Sequence, residues 1–283
     1  MKKVDTLVEK IEEAETIVIG GGSGMSNAAG MNFWYEASPL MLKDPDLQCF
    51  YNKYHFRGFF NGFYTQFESE EERWAFIAKS LSLVYSTPAQ KPTYEYLQKI
   101  TRNKNLHIIT TNQDGLFKQY FPDEKISEIQ GSFSYFQSSN TENDKNLYPA
   151  KPIVEYLLTK IQDHKIDQEF WPISDVDGSV LVPWVRSPEF LEDERYFREH
   201  DKFSKFIGKH RNDKIVFLEL GVGRMTPMFI QEPFWEMTHY LSDAFYVNIN
   251  PKDALTNSLI KDKSLLIGDD INEILKEAAE RVK

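Results

Sequence analysis

The sequence holds one cysteine, Cys49, in 283 residues. A lone thiol closes no disulfide framework and cannot supply a four-thiolate zinc site. It suits a reducing compartment, and the expectation is a cytoplasmic protein. Positive charge is also short: 33 Lys and Arg face 43 Asp and Glu, for a net charge of −10. That balance opposes binding to a nucleic-acid backbone or an anionic membrane surface through bulk electrostatics, so neither partner is expected. Long apolar runs are missing. Ile215 to Leu218 is typical, far below the ~18 residues of a membrane span, and Met1 to Glu15 is too charged for a secretory signal. The six histidines, His55, His107, His164, His200, His210 and His239, show no metal-ligand spacing, and no metal site is expected.

What is present is enough apolar and aromatic material for a packed core. Hydrophobic residues make up 41% and aromatics 14%, which excludes a disordered or low-complexity chain. Val4, Leu7, Val8 and Ile11 recur at helical spacing, and the β-branched run Thr16 to Ile19 follows, ending at Gly20. Similar apolar strands are expected at Leu106 to Thr110, Lys214 to Leu220, Ala244 to Asn248 and Ser264 to Ile267. Helical periodicity recurs between them, as at Tyr94 to Arg102 and Ile271 to Val282. Short buried strands alternating with helices imply an α/β fold with a doubly wound, mainly parallel sheet of Rossmann-like type.

Two stretches break this rhythm. Gln48 to Phe67 is crowded with rings and runs into a helix from Ser69 to Val84 whose Ser-Glu-Glu-Glu start is a good N-cap. Phe133 to about Phe206 mixes a polar stretch, a helix at Ile153 to Ile161 and a Pro-punctuated segment. The expected organisation is a sheet domain of residues 1–35, 85–132 and 207–283, and a small helical inserted domain of residues 36–84 and 133–206.

The loop Gly20-Gly21-Gly22-Ser23-Gly24-Met25-Ser26 leaves the first strand. Without Cβ atoms, its N–H groups can approach phosphate oxygens, and a helix starting near Ser26 would aim its positive end at them. The register misses the dinucleotide fingerprint, and no P-loop lysine is present. Read from these residues alone, a plain strand-to-helix turn remains open. Thr110 to Leu116 and Ser127 to Ser132 follow later strands, so their polar groups gather at the same sheet edge, where α/β proteins form ligand crevices.

In order, these loops resemble the sirtuin motifs. Gly22-Ser23-Gly24-Met25-Ser26-Asn27-Ala28-Ala29-Gly30 is similar to G-A-G-x-S-x-x-x-G. Thr110-Thr111-Asn112-Gln113-Asp114-Gly115 is similar to T-Q-N-I-D-G, and Gln130-Gly131-Ser132 stands where the family has H-G-S. Gly221-Val222-Gly223, Val247-Asn248 and Gly268-Asp269 resemble its later G-T-S, I-N and G-D. The departures are equally specific. Met31 to Tyr35 replaces I-P-D-F-R, the ribbon cysteines are gone, and Gln130 replaces the family histidine. The resemblance thus implies a zinc-free small domain held by apolar packing, with Trp171, Trp184, Phe190 and Tyr196 as candidates.

The glutamine decides the expected chemistry. Sirtuin deacetylation uses the imidazole as a base toward the cofactor ribose, and a carboxamide has no comparable basicity. Cleavage of the nicotinamide–ribose bond needs no such base, and a carboxylate acceptor arrives ionised. The pattern resembles the macrodomain-linked class M sirtuins, which carry Asn and Gln at these places. That resemblance implies protein mono-ADP-ribosylation with NAD as co-substrate and nicotinamide released. It further implies a lipoylated glycine-cleavage H-like carrier as acceptor and a macrodomain hydrolase as reversing partner.

By the same resemblance, Asn112 orients the ribose or the nucleophile, Gln130 binds the ribose hydroxyls and Asp114 contacts the nicotinamide carboxamide. Gly22, Gly24 and Ser26 cradle the pyrophosphate; Gly221, Gly223, Asn248 and Asp270 surround the adenosine. Ser23, Gly30, Gln113 and Val222 complete the implied cofactor-binding set. Arg224 is a candidate replacement for the missing motif arginine. An NAD glycohydrolase and a non-catalytic NAD or ADP-ribose sensor are the alternatives.

Overall fold

The computed structural model describes residues 2–282. Its strands are β1 (Thr16–Gly21), β2 (Asn105–Thr110), β3 (Ile126–Glu128), β4 (Gly131–Ser138), β5 (Leu147–Pro149), β6 (Leu181–Val185), β7 (Ile215–Leu220), β8 (Ala244–Ile249) and β9 (Ser264–Ile267). The first helices are α1 (Lys2–Glu13), α2 (Ser23–Ala28), α3 (Pro45–Tyr54), α4 (Phe59–Phe63) and α5 (Glu70–Ser86). Then come α6 (Thr93–Ile100), α7 (Leu116–Tyr120), α8 (Ala150–Leu158), α9 (Glu194–His210), α10 (Gln231–Tyr240) and α11 (Ile271–Arg281). By their internal contacts they form two compact units, residues 1–30, 89–130 and 194–283, and residues 31–88 and 131–193.

The first unit contains a six-stranded sheet of order β3-β2-β1-β7-β8-β9 in which every pairing is parallel. β1 and β7 are fully buried along their length, which is why they read as continuous apolar runs without alternation. One face packs Val18, Phe217 and Tyr246 against Ile230 and Phe234 of the α10 region, with Phe203 and Phe206 of α9 alongside. Burying side chains of this size contributes about 1.5–3 kcal/mol each. The chain winds outward from β1 through β2 to β3, returns to β7 beside β1, and winds the other way. That reversal is the switch point at which α/β sheets bind ligands, beyond the strands' C-terminal ends.

Residues 194–206, expected in the inserted part, begin α9, which packs on β2 and β3. The contact boundary therefore falls at 193 rather than 206. Charge hid this helix: Glu194 to His210 is rich in Glu, Arg, Lys and His, with apolar side chains along a narrow stripe. Tyr196 consequently lies in the first unit, whereas Trp171, Trp184 and Phe190 lie in the second.

The second unit is helical in α3, α4 and α5, across the aromatic run and the segment after it, and carries strands between residues 131 and 185 besides. Its strands form an antiparallel sheet of order β5-β4-β6. Ser and Gln occupy buried positions in β4 (Ser132, Gln137 and Ser138), so no apolar alternation announces it. Hydrogen bonding satisfies the amide: Gln137 Nε2 donates to Glu189 O at 2.6 Å, and its Oε1 accepts from Leu191 N at 2.8 Å. The aromatic run packs as core, with Phe50, Phe56 and Phe59 buried and Phe76 touching each of their rings. Trp34 and Phe63 stack on Phe133 at 5.5 Å, and Trp184 stacks on Phe190 at 5.5 Å. Helix α5 starts at the expected cap, Ser69 Oγ accepting from Glu72 N. Cys49 is half-buried and unpaired. Among the described residues, no group of three or more His, Cys, Asp and Glu is arranged to hold a metal, and no helix is long and apolar enough to cross a membrane.

Candidate active site

The loop after β1 is shaped by its neighbour. Helix α2 begins at Ser23, with Gly22 as N-cap, not near Ser26 as the sequence suggested. A Cβ on Gly22 would lie 2.5 Å from Val222 Cα, and one on Gly24 would lie 2.6 Å from Gly221 Cα. Gly24 N donates to Gly221 O at 2.9 Å, and Gly221 itself has φ +60°. The absent side chains at 22, 24 and 221 thus allow two loops on adjacent strands to lie backbone to backbone. Gly30, at φ +85°, follows the end of α2, and a Cβ there would strike Gln90.

Ser26, Asn112 and Asp114 form one hydrogen-bonded set. Asn112 Nδ2 donates to Gly22 O at 2.9 Å and to Ser26 Oγ at 3.0 Å. A backbone carbonyl only accepts, so the orientation of the Asn112 carboxamide is determined and its Oδ1 is the atom left free to accept. Ser26 Oγ in turn donates to Asp114 Oδ2 at 2.6 Å, and Asp114 Oδ1 accepts from Leu116 N at 3.0 Å. Desolvation raises the Asp114 carboxyl above its ordinary range, against the hydrogen bonds from Ser26 and Leu116. Thr110 secures the loop's base: its Oγ1 donates to Gly21 O at 2.9 Å and accepts from Asn112 N at 3.0 Å.

Gln113 Nε2 donates to Gln130 O at 2.8 Å, tying the loop after β2 to the segment after β3. The Gln130 carboxamide is partly exposed and makes no hydrogen bond among the described residues. None of the six histidines lies in the loops at this sheet edge. The nearest in sequence, His107, is buried in β2 against Ser127 Oγ at 2.9 Å, and burial pushes its pKa down to about 4.

On the β7 side, Val222 is core and offers only its backbone; its carbonyl accepts from Asn250 Nδ2 at 3.0 Å. Asn248 is fully buried, and its Nδ2 donates to Glu219 Oε1 at 3.1 Å. Its Oδ1 has no partner. The strand continues to Ile249, so Asn250, not Asn248, is the asparagine at its end. Asn250 Oδ1 accepts from Lys252 N and Asp253 N, forming a turn. The repeated pattern Val247-Asn248-Ile249-Asn250 carried that signal, and only the strand's length resolves which asparagine is terminal. Asp270 caps α11, its Oδ1 accepting from Glu273 N at 3.1 Å. Arg224 is exposed and forms no ion pair among the described residues.

Sequence reading missed Glu219. It is fully buried, accepting from Gln231 Nε2 at 3.0 Å, Tyr246 Oη at 2.8 Å and Asn248 Nδ2. Desolvation pushes its pKa up to about 7, against the hydrogen bonds from Tyr246 and Gln231. Its position inside an apolar strand, two residues before Gly221, was the available signal.

At Gly223 and Gly268, unlike Gly22 and Gly24, a Cβ would meet nothing within 4 Å, and neither has a left-handed φ. Both are exposed, Gly223 in the loop after β7 at the switch point and Gly268 after β9, two strands further along the sheet.

No protein-family model matches the chain. It is 28% identical over 280 residues, 98% of its length and 87% of the relative's, to a protein ADP-ribosyltransferase of Staphylococcus aureus strain Mu50. It is 26% identical over 234 residues to a probable bifunctional ADP-ribose hydrolase/ADP-ribosyltransferase of Fusarium oxysporum f. sp. cubense, covering 80% of this chain and 38% of that protein. Among solved structures, Sir2Tm bound to a propionylated peptide matches with a TM-score of 0.60 at 18% identity, over 99% of this chain and 98% of that one. A Sir2 homologue in complex with NAD matches with a TM-score of 0.57 at 16% identity, over 98% and 93%. Taken with the sheet order, these likenesses show that the chain has the α/β, Rossmann-like fold of the sirtuins.

Proposed function

We propose that the chain is an NAD-dependent protein ADP-ribosyltransferase. The observation that carries this reading is the oriented Asn112 carboxamide and the unengaged Gln130 carboxamide, in loops at one sheet edge that hold no imidazole. Such a site positions groups by hydrogen bonding and offers no imidazole to deprotonate a ribose hydroxyl. The names of the two relatives support the same reaction class.

Bound NAD supplies a ribosyl carbon with a good leaving group. The C–N bond to nicotinamide breaks with its electron pair going to the ring nitrogen, and a carboxylate oxygen of the acceptor bonds to the ribosyl carbon. The carboxylate arrives ionised, so no proton is transferred. Asn112 Oδ1 is directed at the ribose or the incoming nucleophile, Gln130 holds the ribose hydroxyls, and Asp114 accepts from the nicotinamide carboxamide. The N–H groups of Gly22, Gly24 and Gly221 are engaged by Leu220 O, Gly221 O and Ile249 O, so Ser23, Val222 and Gly223 supply the backbone N–H groups of these loops to the pyrophosphate and adenosine, and Gly223 and Gly268 leave room for the ligand.

The acceptor we assign is a lipoylated carrier protein of the glycine-cleavage H-like type, with a macrodomain hydrolase removing the mark. Its support is the class M pattern of Asn and Gln without ribbon cysteines, and the pairing of hydrolase and transferase in the Fusarium relative's name. Asn112→Ala tests the site: nicotinamide release should fall by about 100-fold with the fold intact, a loss typical of removing one oriented polar group. An unchanged rate would remove Asn112 from the reaction.

A further inference from the structure

Helix α6 begins against the helix that carries Ser26. The Thr93 hydroxyl bridges Ala28 O at 3.1 Å and Asn272 Oδ1 at 2.8 Å, and Gln90 N donates to Ala29 O at 2.8 Å. The next side chain, Tyr94, is fully buried. Its ring stacks on Tyr120 at 4.9 Å with an interplanar angle of 9° and meets the edge of Phe117 at 5.1 Å. So held, the ring cannot carry its hydroxyl to water. Burial raises the pKa of that hydroxyl well above its ordinary value, the Asp114 charge raises it further, and the nearby Ser26 hydroxyl acts against both. Yet its approach to Ser26 falls short of a hydrogen bond, and it has no other partner.

A buried hydroxyl without a partner is unfavourable, and few persist in folded proteins. The atom best placed to accept from it is Ser26 Oγ, which gives its proton to Asp114 and one lone pair to Asn112 Nδ2, keeping a second lone pair free. We propose that Tyr94 is a positioning residue of this site, its hydroxyl becoming the second donor to Ser26 Oγ when NAD is bound. With both lone pairs engaged, the serine proton has one direction left, toward Asp114, and the Asn112 carboxamide is held by a serine that no longer rotates. The inference rests on the reading of this edge as an NAD site.

The test is Tyr94→Phe in the full chain, alone and combined with Ser26→Ala, read by thermal stability, ADP-ribose affinity and the rate of nicotinamide release. Because no hydrogen bond is lost from the free protein, the Tyr94→Phe variant should melt at or above the wild-type temperature and bind ADP-ribose within about twofold of wild type. Its nicotinamide release should slow by about tenfold. In the Ser26→Ala background the same change should cost nothing, since coupled residues are not additive. A wild-type rate in Tyr94→Phe, an equal loss in both backgrounds, or a parallel fall in melting temperature and ADP-ribose affinity would each overturn the inference. A wild-type protein that neither binds ADP-ribose nor releases nicotinamide would instead overturn the NAD reading beneath it, and the inference with it.

Discussion

At the residue scale, the direction in which one amide points governs the site. Gly22 O accepts from Asn112 Nδ2 at 2.9 Å, so Asn112→Asp would set a carboxylate oxygen against a carbonyl. That variant should lose activity as fully as Asn112→Ala and also lose stability, by about 1–3 kcal/mol, measured as a lower denaturation midpoint. Equal stability of the Asp and wild-type proteins would contradict the assigned orientation. Two buried titratable residues make opposite contributions to stability. Glu219 has a folded pKa of about 7 against an ordinary 4.5, so its native state prefers the proton, and its contribution falls as pH rises from 4.5 to 7. His107 has a folded pKa of about 4 against 6.5, so its contribution is lost as pH falls from 6.5 to 4. The two slopes oppose each other through most of the same window. Glu219→Gln removes the first while Tyr246 Oη can turn from donor to acceptor. The stability of the variant relative to wild type should therefore grow by on the order of 3 kcal/mol between pH 4.5 and 7. A constant difference across that range, from denaturation at each pH, would count against the raised carboxyl.

At the scale of elements, the glycines divide into two kinds. Gly24→Ala places a Cβ 2.6 Å from Gly221 Cα and should cost about 1–3 kcal/mol, as overpacking does. Gly223→Ala meets open space and should leave stability within about 0.5 kcal/mol while weakening NAD binding. Denaturation and calorimetric titration separate the two, and a destabilised Gly223→Ala or normal NAD affinity in it would contradict the division. Sequence could show that the loop lacks side chains but not why, because Gly24 depends on a backbone almost 200 residues away. Elements were legible where burial was uniform: β1 and β7, Thr16 and Glu219 apart, read as apolar runs because both faces are covered. They were illegible where charge or hydrogen bonding replaced apolar pattern, as in α9 with its crowded charges and β4 with its buried Ser132, Gln137 and Ser138. The same held at the site. Ordered motifs brought Ser26, Asn112 and Asp114 into view, whereas Tyr94 and Glu219 are held by buried contacts that spacing does not encode.

At the scale of the whole molecule, aromatic packing, including the Trp34–Phe133 and Trp184–Phe190 stacks, organises the second unit, for which the missing cysteines imply no zinc ribbon. Treatment with a chelator should leave the melting temperature unchanged, and a drop of several degrees would contradict that account. The central claim is that a site without an imidazole passes ADP-ribose to a protein. Its most direct test is the intact mass of a lipoylated carrier protein incubated with NAD and the purified chain, with released nicotinamide quantified in the same reaction. The account predicts a carrier heavier by one ADP-ribose, with at least one nicotinamide released per modified carrier. Nicotinamide released with no gain in mass, or neither product despite measurable NAD binding, would contradict it.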